Sequence, residues 1–121
     1  MRHIEEHLQE LCVRWFDLQY PQYRLLLHHS PNGGRRNVRE AARFKRMGVR
    51  AGFPDLMLLL PCESFHYLAI EMKTDGGRQT ESQREMQMMI EANGGCYQLV
   101  RDFDTFRIVV NRWMNNFLQH I

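Results

Sequence analysis

The sequence predicts an α/β fold, a mixed β-sheet flanked by helices, and three observations lead there. Segments with apolar residues at helical spacing alternate with short, nearly continuous apolar runs, the pattern of strands separated by helices. Two of the apolar runs are joined by only five residues, PCESF, a connection that suits an antiparallel hairpin. With 121 residues, 44% of them hydrophobic and 25% charged, the chain has the size of one domain, residues 1–121, and too little length for two full cores.

Taken in order, Ile4, Leu8, Leu11, Trp15 and Leu18 recur three and four residues apart, so residues 3–19 form an amphipathic helix, with Pro21 just beyond its end. RLLLHH, residues 24–29, reads as a strand leading into the turn-rich SPNGG. Asn37 and Glu40 have the spacing of a capping signal, and Gly48 closes the helix between them. DLMLLL (55–60) and HYLAIEM (66–72) are the hairpin strands, and their near-continuous apolarity implies cover on both faces. After TDGG, Thr80 and Gln83 form a T-x-x-Q capping box for a helix whose buried stripe is Met86, Met89 and Ile90 and which Asn93, Gly94 and Gly95 end. CYQLV (96–100) is a further strand, and Asp102 caps a last helix with an apolar face of Phe106, Val109, Val110, Trp113 and Phe117. The order is α-β-α-β-β-α-β-α.

Composition narrows the function classes. The longest apolar run, Leu56 to Leu60, falls far short of the ~20 residues that cross a bilayer, and MRHIEEHLQE lacks the pattern of a secretory signal, so no membrane partner is expected. Cys12, Cys62 and Cys96 form an odd set without a CxxC pair, which suggests neither disulfides nor zinc and fits a reducing cytoplasm. The net charge of +2 conceals a segregation: Arg35, Arg36, Arg39, Arg43, Lys45, Arg46 and Arg50 stand against Glu40 alone, a local +6 that leaves −4 for the rest. A positive field so confined suits a polyanion, because Lys and Arg that neutralise phosphates release condensed counterions. The plain alternative is a solvated helix face.

The chemistry collects at the strand ends. Side chains two apart on a strand share a face, so Glu71 and Lys73 project together, and in an antiparallel hairpin Asp55 lies opposite them. Two carboxylates and an ammonium then meet in one site. Carboxylate oxygens are what a hard cation such as Mg²⁺ accepts, and a lysine beside them can orient a water or steady developing negative charge. The alternative for Glu71 and Lys73 is an exposed ion pair worth ~0–1 kcal/mol. His28 and His29 end a strand just before PNGG and read first as structural histidines, with one facing the active cleft as the alternative; Asn32, Gly33 and Gly34 make a turn that lets a backbone approach phosphate closely, or an ordinary tight turn.

FPD followed by IEMK resembles the PD-(D/E)XK signature of restriction-endonuclease-like nucleases. The wider pattern, PNGGRRNVREAARFKRMGVRAGFPDLMLLL, then a strand ending EMK, then TESQ opening a helix, then GG and a strand, resembles the VRR-NUC nucleases in a stand-alone form. The resemblance runs from about Glu6 to Trp113. It implies a restriction-endonuclease-like core with Asp55, Glu71 and the Met72 carbonyl holding metal, and Lys73 acting beside them. It further implies Glu6 of the first helix near the metal, with Glu5 as its competitor, and Gln83 in the site, with helix capping as the alternative role.

The function that follows is a Mg²⁺- or Mn²⁺-dependent endodeoxyribonuclease of the cytoplasm, in a bacterial or phage-infected cell. Asn32, Gly33, Arg35, Arg36, Arg39, Arg43, Lys45, Arg46 and Arg50 are the expected nucleic-acid contacts. Phosphate contacts carry no sequence information, so recognition of DNA shape is expected. Stand-alone VRR-NUC proteins resemble junction-resolving enzymes, and a twofold homodimer acting on four-way (Holliday) junctions is the leading expectation. The alternatives are a monomeric flap or nicking nuclease and a nucleic-acid-binding module that does not cut.

Overall fold

A computed structural model describes residues 2–31 and 37–121 of the chain. Helix α1 (Arg2–Gln19) leads through a 3₁₀ turn (Pro21–Leu26) into β1 (Leu27–His29), followed by α2 (Val38–Arg46), β2 (Leu56–Leu58) and β3 (Tyr67–Met72). Then come α3 (Glu81–Ala92), β4 (Gly95–Val100) and α4 (Phe103–Gln119). The strands form one mixed sheet in the order β1-β2-β3-β4, with β1, β2 and β3 antiparallel in turn and β4 parallel to β3. The predicted element order and the mixed sheet flanked by helices are both present, and the parallel pair is joined through α3, as a crossover requires. Among the described residues no helix is long and apolar enough to cross a membrane, and Cys12, Cys62 and Cys96 are free thiols.

The alternation of β3 divides the core. Leu68, Ile70 and Met72 point into the large cluster with Cys12 and Phe16 of α1 and with Phe106, Val110, Trp113 and Met114 of α4. Tyr67 and Ala69 point the other way, toward Ile90 of α3 and Tyr97 of β4. Helices α1 and α4 thus cover one face and α3 the other. Full burial of a side chain such as Phe16 or Phe106 contributes about 1.5–3 kcal/mol, so the α1–α4 face carries most of the apolar stabilisation. Trp113 spans both roles of a buried tryptophan: its ring fills this core and its Nε1 donates to the Leu60 carbonyl at 2.8 Å.

Three local expectations are corrected. Residues 24–29 are a strand only from Leu27; Pro21 starts a 3₁₀ turn, Leu27 N–H bonds back to the Arg24 carbonyl, and Leu25 is left exposed. The strand expected over 55–60 is regular only from Leu56 to Leu58; Leu59 N–H still bonds to the Leu26 carbonyl at 2.9 Å, and Pro61 has no N–H to carry the ladder further. The stripe expected on α3 shrinks to Ile90 with a half-buried Met86, and Met89 is exposed. The reason is rotation: the covered positions are Ser82, Gln83, Met86, Gln87 and Ile90, three and four apart, and Met89 lies to the side of that stripe.

Candidate active site

The hairpin register places Leu56 opposite Ile70, so the residue before β2, Asp55, falls at the end of β3 beside Glu71 and Met72. There its Oδ2 accepts a hydrogen bond from the Met72 N–H at 2.7 Å. The side chain thus takes the place of a ladder partner where β2 has ended. On the other side, His29 Nδ1 donates to the Asp55 carbonyl oxygen at 2.7 Å; a carbonyl only accepts, so the imidazole proton sits on Nδ1. Desolvation by burial holds the Asp55 carboxyl above its usual range; the Met72 hydrogen bond works against this, Glu71 and Glu5 reinforce it, and His29 opposes it.

Glu71 is 1% exposed, which for a carboxylate demands compensation. Its Oε1 accepts from the Tyr97 hydroxyl in a short hydrogen bond and from Gln79 Nε2 at 2.9 Å. Its Oε2 is buried and has no hydrogen-bond partner among the described residues; Lys73 Nζ lies 3.9 Å away, an ion pair beyond hydrogen-bond reach. Burial first, and then the hydrogen bond to Glu71, hold the Tyr97 phenol well above its ordinary range, so it stays a proton donor. Asp55, Glu71 and Lys73, separated by up to 18 positions, are brought together as the strand geometry predicts.

A cleft of about 770 Å³ opens at this end of the sheet. Asp55 and Met72 are in its wall with Glu5, Glu6 and Glu10 of α1, His29 of β1, and Thr80, Ser82 and Gln83 at the start of α3. Glu6, expected beside the metal, is largely exposed and pairs with His3 at 3.6 Å. Its neighbour Glu5 is half-buried and its charge acts on Asp55, so α1 brings both carboxylates to the cleft wall. Gln83 has both of its expected places: it lines the cleft, and it completes the capping box, with Thr80 N donating to Gln83 Oε1 at 2.8 Å and Gln83 N to Thr80 Oγ1 at 3.2 Å. The helix start is pressed against the loop before β2. Gly52 has φ +77°, and a Cβ there would come within 2.5 Å of the Ser82 backbone, so only glycine fits.

The basic segment is joined in sequence to the wall of the same cleft. The chain leaves the cleft wall at Pro31 and returns at Ala51, and α2 lies between them. Asn37 caps α2 by accepting from Glu40 N, as its spacing predicts. None of its residues is buried; Arg39, Arg43 and Arg46 recur at i, i+4 and i+7 on one exposed side, with Lys45 and Arg50 also exposed. Asn32, Gly33, Arg35 and Arg36, expected as further contacts, lie outside the described residues. Acidic groups therefore line the cleft, and the exposed basic groups belong to the segment that joins two parts of its wall in sequence.

Among the described residues no three His, Cys, Asp or Glu side chains converge as a ready metal cluster. The donor set suits a different kind of ion. Mg²⁺ keeps several waters and takes one or two carboxylates, so Asp55, Glu71 and a backbone carbonyl are enough, and the buried, hydrogen-bond-free Glu71 Oε2 is the kind of atom such an ion satisfies. Tyr97 and Gln79, which hold Glu71, have no local signal in the sequence: Tyr97 reaches the site only through the parallel register Ala69↔Tyr97, and Gln79 through the path of the turn after β3.

Comparison with known proteins identifies a family and a similar solved structure. The VRR-NUC domain family matches residues 3–102. A solved structure described as a "VRR_NUC domain protein" is similar at 32% identity with a TM-score of 0.80, covering 93% of this chain and 88% of its own. No curated protein matches the chain significantly.

Proposed function

The chain belongs to the VRR-NUC domain family, a nuclease family, and from that premise we propose that it is a Mg²⁺- or Mn²⁺-dependent, structure-selective DNA endonuclease that acts on four-way junctions as a homodimer. The observation that carries this reading is the convergence of Asp55, Glu71 and Lys73 at the open end of the β2–β3 hairpin, with one buried carboxylate oxygen left for a cation.

In this reading Asp55, Glu71 and the Met72 carbonyl hold the metal, with Glu5 and Glu6 of α1 in the cleft wall and Glu5 acting on Asp55 by its charge. When bound, the metal supplies Lewis-acid polarisation of the phosphodiester and acidifies water. Asp55 is oriented for its role by Met72 N–H and by its place at the strand end. Lys73, paired with Glu71 and 14% exposed, orients the attacking water and offsets the charge that develops on the phosphate. Gln83 fixes the start of α3 and presents it to the cleft. Arg39, Arg43, Lys45, Arg46 and Arg50 bind backbone phosphates beside the cleft, which positions DNA without reading bases.

The homodimer is supported by α1. Ile4, Leu11 and Leu18, spaced by seven, are 57%, 48% and 77% exposed, an apolar line on the solvent side of a helix that a second copy would cover. Two sites related by a twofold axis would then nick opposing strands.

The test incubates the protein with linear duplex, flap and four-way junction DNA in Mg²⁺, Mn²⁺ or EDTA, alongside Lys73→Ala. Symmetric paired nicks on the junction, present with either metal and absent in EDTA and in Lys73→Ala, support the reading. Cutting confined to flaps or single nicks by a monomer replaces the junction and the dimer. Cutting in EDTA contradicts the metal site, and binding without any product at any metal concentration leaves a module that does not cut.

A further inference from the structure

Glu71 is held asymmetrically. Its Oε1 receives two donors, the Tyr97 hydroxyl and Gln79 Nε2 at 2.9 Å, as many as that oxygen has lone pairs. Its Oε2 receives none among the described residues, is buried, and lies 3.9 Å from Lys73 Nζ.

The two donors are themselves fixed. Gln79 Nε2 has two hydrogens; one is given to Glu71 and the other to Gln87 Oε1 at 2.8 Å, so the amide has a single orientation. Its backbone carbonyl accepts from Arg84 Nη1 at 2.9 Å, which ties the turn to α3. Tyr97 is 5% exposed, packed among Ala69 and Ile90 on the α3 face of the sheet. The carboxylate cannot rotate without breaking hydrogen bonds on a rigid strand and on a turn anchored to a helix.

Resting on the reading of Asp55 and Glu71 as a hard-cation site, we propose that Tyr97 and Gln79 are positioning residues that confine Glu71 to one coordinating oxygen and so set the site's preference for a small octahedral cation over Ca²⁺. The physical basis is the difference between the two ions. Ca²⁺ takes six to eight oxygens at longer distances and accepts carboxylates through both oxygens, whereas Mg²⁺ demands near-ideal octahedral geometry and uses single oxygens and water. A Glu71 whose Oε1 is already saturated offers the second ion what it needs and denies the first its chelating carboxylate. Releasing Oε1 lets the carboxylate turn and present both oxygens.

The test is calorimetric titration of Mn²⁺ and of Ca²⁺ into the wild-type protein, Tyr97→Phe and Gln79→Met, with thermal melting to confirm that each is folded. Gln79 is only half-buried, so Gln79→Met keeps the test available if Tyr97→Phe fails to fold. Outer-shell partners of metal ligands typically change affinity by about 10- to 100-fold, so the ratio of Mn²⁺ to Ca²⁺ affinity is expected to fall by about tenfold in each variant. A role confined to stability lowers both affinities together and leaves the ratio unchanged; that result, with Mn²⁺ still bound by the wild type, overturns the proposal and leaves the metal site standing. Absence of Mn²⁺ binding in the wild type overturns both.

Discussion

The Asp55 carboxylate accepts the Met72 N–H at 2.7 Å, so one side chain both ends the hairpin ladder and faces the cleft. Its two duties separate by substitution. Asp55→Asn keeps an acceptor for Met72 and loses the charge, whereas Asp55→Ala leaves a part-buried N–H unpaired at a cost of about 1–3 kcal/mol. Urea denaturation should place Asp55→Asn within about 1 kcal/mol of wild type and Asp55→Ala below it, with DNA cutting lost in both. A fully active Asp55→Asn would remove this residue from the chemistry.

Gln83 invites the same kind of separation. A capping box accepts Glu in place of Gln at its third position, so Gln83→Glu should preserve the start of α3, while Thr80→Ala should cost about 0.5–2 kcal/mol by removing the cap. If Gln83 acts only as a cap, Gln83→Glu cuts DNA at the wild-type rate and melts at the wild-type temperature. The site role predicts a folded protein with a reduced rate, read from single-turnover kinetics next to a thermal melt.

Arg39, Arg43 and Arg46 share one exposed side of a helix with no buried residue, so replacing all three with Ala should leave the fold intact. Each phosphate contact contributes about 0.9 to the slope of log K against log salt, so the triple variant should bind junction DNA more weakly with a slope shallower by up to about 3. Fluorescence anisotropy across a salt series measures this. An unchanged slope would assign α2 to the solvated-face alternative.

The acid limb of stability has a local contributor in Asp102. Its carboxylate accepts from Thr105 N at 2.7 Å as the cap of α4, and those hydrogen bonds hold its pKa below the usual value. A folded-state pKa below the unfolded one means that the stabilisation is present above the unfolded pKa and is lost as the pH falls through the folded value. Asp102→Asn keeps a capping acceptor without a titrating group, so its thermal stability should fall less steeply than wild type as the pH drops below about 4. Parallel curves for the two proteins would show that the cap does not contribute.

Much of this site was legible because strands have a rigid period. Two-residue alternation fixes Glu71 and Lys73 on one face, and a short connection fixes Asp55 opposite them, without knowledge of any other element. The T-x-x-Q box and the Asn37 and Asp102 caps were legible for a similar reason, since each is a contact within one turn of chain. What was hidden depends on longer paths. How Glu5 and Glu6 face the cleft needs the rotation of α1 about its axis, which packing of Cys12 and Phe16 decides. Tyr97 and Gln79 need the β3–β4 register and the course of a turn. The ambiguity before β1 is different in kind: the consecutive apolar residues Leu25, Leu26 and Leu27 fit a strand or a tight turn equally, and Pro21 tipped the balance toward the turn.

A carboxylate pair at the hairpin end that supports metal-dependent cutting of branched DNA is the centre of this reading, and Glu71→Gln tests it most directly. Glutamine has nearly the same size and keeps an acceptor oxygen for Tyr97 and Gln79 while removing the charge. Denaturing gels of an end-labelled four-way junction should show paired symmetric nicks from the wild type in Mg²⁺ or Mn²⁺, and none from Glu71→Gln or in EDTA. Wild-type cutting by a folded Glu71→Gln, or cutting that persists in EDTA, would contradict the account.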